Sequence, residues 1–168
     1  MQYTFQELVE KHKLLPHPEG GYYKETYRAT EFVSGKDLPE RFGSDRFFST
    51  AIYFLIIQGN FSSFHKIKSD ECWHFYAGDA LHIHVIGLDG KYTLLKLGSN
   101  IDNGETFQAI VSAGSWFASE NAPGCVYSFA GCTVSPGFDF ADFEMAKANE
   151  LGKQYPEKKV LIERLCRE

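Results

Sequence analysis

Nothing in this chain is apolar for long enough to span a lipid bilayer. The longest apolar run, residues 51–57, falls far short of the roughly 20 residues that a membrane-crossing helix needs. The opening stretch is not expected to act as a secretion signal. Glu7, Glu10, Lys11 and Lys13 interrupt it, and no stretch there could serve as the apolar middle of a signal peptide. Paired cysteines are absent: Cys72, Cys125, Cys132 and Cys166 form no CxxC pair and no zinc-finger spacing. They are expected to be small, reduced, buried residues, which makes the cytoplasm the expected location. Positive charge is scarce as well. Seventeen Lys and Arg against 22 Asp and Glu leave a formal net charge of -5, and no basic cluster offers a footprint for nucleic acid. No internal repeat or low-complexity tract occurs, which excludes solenoids and long flexible linkers.

Aromatic residues are abundant. Fifteen Phe and nine Tyr in 168 residues favour strands and supply a packed core for a single domain over residues 1–168. Residues 4–15 read as a short helix, with Thr4 and Glu7 in capping-box spacing and Phe5, Leu8 and Val9 on one face. "LLPHPEGG" stops that helix. From Tyr22 onward about eight short segments alternate with turn signals, among them "YYKETYR", "TAIYFLII", "SSFHKI", "ECWHFYAG" and "ALHIHVIG". The expected fold is all-β, a sandwich or small barrel over residues 20–140, with a short N-terminal helix and a helical tail over 141–168. In that tail Phe143, Ala146, Leu151, Val160, Ile162 and Leu165 are the expected docking residues. The polar loop 30–45 is expected to cover an opening, and "SPGFDFADFE" to anchor the barrel to the tail.

Residues 59–78, "GNFSSFHKIKSDECWHFYAG", carry the chemistry. They follow the pattern G-x5-H-x-H-x3-4-E-x6-G at Gly59, His65, Glu71 and Gly78, with Ile67 at the second histidine. "SAGSWFASEN" resembles a second motif, G-x5-P-x-G-x2-H-x3-N, through Gly114 and Asn121, with Ser112 and Phe117 in place of proline and histidine. These are the two motifs of the cupin superfamily. "HPEGGYYKETYR", "STAIYFLI", "FHKIKSDECWHFYAGD", "GSWFA" and "GCTVSPGFDFADFE" further resemble the DUF985 (cupin-5) family. The resemblance implies a jelly-roll barrel, a homodimer, and a likeness to sugar epimerases and seed-storage proteins.

Residues two apart on a strand share a face, so alternation predicts Ser63, His65 and Ile67 together, and Glu71, Trp73 and Phe75 together. A cupin metal site takes three imidazoles and a carboxylate, and two of those four positions hold Ile67 and Phe117. His65 and Glu71, with His74 only if a bulge turns it inward, are a poor set for a divalent metal, so no cofactor is expected. His65 beside Glu71 among aromatic walls is instead a candidate base for proton abstraction next to a carbonyl. Tyr23, Tyr53 or Tyr127 would supply the acid. Glu25, Ser63, Trp73, His74, Trp116 and Phe117 complete the candidate ligand contacts, with core packing as the competing role for Trp73, Trp116 and Phe117. His82 and His84 read as structural or outward-facing, and Cys132 has no base adjacent in sequence.

Three functions stay open. The first is a metal-independent sugar or nucleotide-sugar epimerase or isomerase. The second is a non-catalytic sensor or carrier of a small polar ligand. The third is a metal-dependent dioxygenase or isomerase.

Overall fold

The structure, a computed structural model, describes residues 3–167. Its first element, α1 (Phe5–His12), starts at the capping box read from the sequence. The Thr4 hydroxyl accepts the Glu7 N–H at 3.3 Å, and the Glu7 carboxylate accepts the Thr4 N–H at 2.9 Å. The helix stops short of residue 15 because Lys13 turns left-handed at φ 54° and Leu15 has already entered a strand.

The strands in chain order are β1 (Leu15–Pro16), β2 (Tyr22–Arg28), β3 (Phe32–Val33), β4 (Arg46–Phe47), β5 (Thr50–Ile57), β6 (Phe61–Lys66) and β7 (Asp70–Gly78). They continue with β8 (Leu81–Ile86), β9 (Tyr92–Leu97), β10 (Gln108–Val111), β11 (Trp116–Asn121), β12 (Tyr127–Ser135) and β13 (Glu144–Met145). Helices α2 (Ala148–Gln154) and α3 (Lys159–Arg164) close the chain. Six strands form one antiparallel sheet in the order β1-β2-β5-β12-β7-β10, and five form a second in the order β13-β6-β11-β8-β9. The two sheets face each other as a jelly-roll sandwich. The neighbours in each sheet are largely non-consecutive in sequence, so residues far apart in the chain meet at one end of the sandwich.

Between the sheets lies the main core, with Phe54, Ile56, Trp73, Ile83, Leu97 and Phe117 at its centre. Burying each of these large side chains contributes about 1.5–3 kcal/mol. A second cluster, Phe64, Ile86, Ala118, Ala146, Leu151, Ile162 and Leu165, docks the C-terminal helices on the outside of the smaller sheet. Two residues expected there are elsewhere: Val160 is 81% exposed, and Phe143 lines a cavity. A third cluster packs α1 through Leu8 onto Leu55, Tyr127 and Phe129.

Loop 30–45 does not cover that cavity, since none of its residues lines it. It is pinned by the buried Phe42 and by Arg46, whose guanidinium meets the buried Asp142 carboxylate at 2.6 Å through both Nε and Nη2. Lys68 approaches the same carboxylate at 3.2 Å. No helix among the described residues is long and apolar enough to cross a membrane.

Candidate functional site

One end of the sandwich holds a cavity of about 420 Å³ between β2, β5, β6, β7, β12 and the segment 138–143. His65 enters it from the end of β6 and Glu71 from the start of β7, and both are buried. His65 is oriented by its own strand: its Nδ1–H donates to the Ser63 carbonyl at 2.7 Å, which leaves Nε2 facing inward. The partner of Nε2 is Glu19, whose Oε2 lies 3.2 Å away.

Glu19 comes from the turn between β1 and β2. Two glycines with positive φ, Gly20 at 111° and Gly21 at 73°, let the chain fold back tightly, and His17 N–H donates to the Gly21 carbonyl at 3.1 Å. The turn is then tied to β6 by the Ser63 N–H donating to the Glu19 carbonyl at 2.8 Å. Arg167, from the C-terminal segment, donates to that carbonyl at 3.0 Å through Nε and to the Phe61 carbonyl at 2.8 Å through Nη2. On the Glu19 side chain, Oε1 accepts the Ser62 hydroxyl at 2.9 Å. His17 completes the group with Nδ1 3.6 Å from Glu19 Oε2. That nitrogen accepts the Glu19 backbone N–H, so the His17 proton resides on Nε2.

Burial sets the protonation of these groups. It holds Glu19 well above the ordinary carboxylate range, assisted by the nearby Glu71, and it pushes His65 down to about 3 and His17 to about 4. Glu19 and His65 therefore form a neutral pair, with the carboxylic acid donating from Oε2 to Nε2. Glu71 is raised to about 7 by burial, against the lowering effect of the Cys132 thiol that donates to it. Glu71 therefore changes charge near neutral pH. At the mouth, Arg28 is gripped by Glu25 at 2.6 and 3.1 Å, with Asp139 alongside. Phe138, Phe140 and Phe143 form one wall, their rings edge-on to one another.

Residues 6–146 match the model of a family described as "Cupin superfamily (DUF985)". The chain belongs to this cupin family. It is 30% identical to the uncharacterised protein YML079W of Saccharomyces cerevisiae over 157 residues, covering 88% of this chain and 77% of that one. The fold is similar to that of a hypothetical protein from Leishmania major, with a TM-score of 0.90 and 35% identity over 99% of this chain and 100% of that one. A crystal structure of a Shewanella oneidensis protein superposes with a TM-score of 0.88 and 33% identity over 99% of both chains. Oxalate decarboxylase from Bacillus subtilis shares the fold alone, at 13% identity and a TM-score of 0.54, over 89% of this chain and 36% of its own.

The family implies a metal, and this cupin's residues do not fit one. Ile67 lines the cavity without a donor atom, and Phe117 is fully buried with its ring 4.0 Å from the His65 ring. The inward lone pair of His65 is taken by Glu19. Among the described residues, no group of three or more His, Cys, Asp or Glu is arranged to hold an ion.

Of the residues expected at the site, His65, Glu71, Tyr23 and Glu25 line the cavity of the cupin. The others lie elsewhere. Ser63 was expected beside His65, but a register shift between β6 and β11 turns it outward, where its hydroxyl donates to the Leu165 carbonyl. Ser62 takes the inward place. Tyr53 has the opposite parity to Ile52 and packs under α1, 4.9 Å from the His12 ring. Tyr127 also belongs to the α1 cluster and donates its hydroxyl to the Tyr3 carbonyl at 2.6 Å. Trp73 is core, edge-on to Phe54 at 5.5 Å. His74 lies on the outer face, bonded to Thr133 and Gln108 at 3.0 and 3.1 Å. Trp116 sits on the outer side of the smaller sheet, under the Lys66 ammonium at 4.3 Å. Phe117 is the core floor beneath His65 rather than a ligand contact.

His84 is also structural. It bonds the Tyr92 hydroxyl at 2.9 Å and Glu120 at 3.0 Å, and Glu120 in turn grips Arg164 of α3. Sequence reasoning missed His17, Glu19, Arg28, Asp139 and the phenylalanine wall. The one available signal was an acid beside a histidine at a double-glycine turn, which read only as a helix stop.

Proposed function

We propose that this cupin binds a small polar ligand bearing a carbonyl and moves a proton on the adjacent carbon, as isomerases and epimerases do, without a metal. The observation that carries this is Glu71, a buried carboxyl on the cavity wall that titrates at about 7. It replaces His65 as the base, because His65 is held near 3 and its inward nitrogen is already engaged. In the step, the ligand C–H bond breaks and its proton passes to ionised Glu71. The C–H electron pair forms a C=C bond, and the carbonyl π electrons move to oxygen. The neutral His17 Nε2–H is a donor for that developing enolate oxygen. Glu71 then returns the proton to the neighbouring carbon of the enediol while the hydroxyl proton passes between the two oxygens, so the carbonyl reforms one carbon along; return to the original carbon gives exchange alone. Glu19 and His65, a neutral and mutually satisfied pair, keep the opposite wall free of charge.

The test is solvent exchange. Free aldoses and ketoses are incubated with the protein in D2O, and loss of the C–H signal next to the carbonyl is followed by NMR. Enzyme-dependent exchange is expected to rise with pH to a plateau with a midpoint near 7, and Glu71→Gln is expected to reduce it at least ~100-fold. Saturable binding with no exchange in any compound would discard the catalytic step in favour of a carrier or sensor. That second reading draws on the self-satisfied His65–Glu19 pair.

A further inference from the structure

Taking the cavity as the ligand site, as the proposed function does, we infer that it accepts uncharged or cationic ligands with a ring-sized apolar body and rejects anions, phosphate and nucleotide conjugates included. The sole Lys or Arg among the described residues lining the cavity is Arg28, and its charge is already matched. Glu25 holds it through two hydrogen bonds, at 2.6 Å from Nη2 and 3.1 Å from Nε. Its Nη1 donates to the Phe138 carbonyl at 3.3 Å, and Asp139 adds a second negative charge nearby. The fixed charges at the mouth therefore sum to negative before Glu71 is counted.

Deeper in, both imidazoles are neutral and the remaining titratable groups are acids, so no interior cation offsets that sum. The Phe138, Phe140 and Phe143 wall acts in the same direction. Ring centroids 5.0 to 6.2 Å apart and planes 72–80° apart form a packed aromatic surface. Such a wall gives an apolar ring close contact and offers an anion no hydrogen-bond donor. Of the sugar-type ligands expected from the sequence, this keeps the free, uncharged compounds and drops the nucleotide conjugates.

Three probes of nearly one shape test the inference: benzyl alcohol, benzylamine and benzoate. They are titrated into full-length protein with labelled Ile and Val methyls, with Ile52, Ile67 and Val134 of the cavity wall as reporters. The alcohol and the amine should shift these methyls at one tenth or less of the concentration benzoate requires. Glu25→Gln combined with Asp139→Asn frees Arg28 and should tighten benzoate at least tenfold. Benzoate binding as tightly as the other two to the unmodified protein would overturn the inference, as would failure of both the alcohol and the amine to move the reporters. Proton exchange plays no part in this readout, so loss of the Glu71 chemistry and loss of charge selection are separable.

Discussion

A carboxyl that keeps its proton to about pH 7 inside a fold ties that fold's stability to pH. Glu71 binds its proton more tightly in the folded chain, at about 7, than in the unfolded one, near 4.5. Its contribution is therefore complete below pH 4.5 and lost as pH rises through 7, on the order of 3 kcal/mol in all. His65 and His17 act in the opposite sense. Their folded values, about 3 and about 4, lie below 6.5, so their contribution is present above pH 6.5 and lost as pH falls toward those values. Urea midpoints measured from about pH 4 to 8 should fall on both sides of a maximum. In Glu71→Gln the alkaline fall should shrink, leaving the variant more stable than the parent at pH 8. An unchanged alkaline slope would show that Glu71 ionises normally.

At the scale of elements, the site depends on how the Glu19 turn is fastened. A Cβ added at Gly20 would overlap the Phe61 carbonyl and the Arg167 guanidinium, at a backbone φ of 111° that side chains resist. Gly20→Ala should therefore destabilise by about 2–4 kcal/mol, and Arg167→Ala by about 1–2 kcal/mol through its lost hydrogen bonds, both read from urea unfolding. Much of this level was legible in the sequence. The capping box placed α1, and alternation put Glu71, Trp73 and Phe75 on one face. The place of Ser63 was not legible, because a register shift is a two-strand property that one strand's alternation does not encode. Nor was Glu19. Its partners, Ser62 and His65, lie more than forty residues along the chain, and only the sheet order brings them together.

At the scale of the molecule, the family likeness is complete in the sandwich and fails at the donor atoms. Ile67 and Phe117, from different parts of the smaller sheet's side, stand where cupin imidazoles would be. Installing both as Ile67→His and Phe117→His should create stoichiometric cobalt or nickel binding, visible in the absorption spectrum, where the parent shows none. Failure of the double variant to bind would mean that the Glu19–His65 pair, and not the missing imidazoles, is what keeps metal away.

The Arg46–Asp142 pair has a wider reach than its position suggests. Asp142 sits between Phe140 and Phe143, so the ion that fastens loop 30–45 also steadies the aromatic wall. Arg46→Met should cost about 3–5 kcal/mol by stranding a buried carboxylate, toward the lower end because Lys68 remains beside it. Limited proteolysis within 30–45 and weakened benzyl alcohol binding should then appear together. A surface loop remote from the chemistry would in that way govern how firmly the pocket grips its guest.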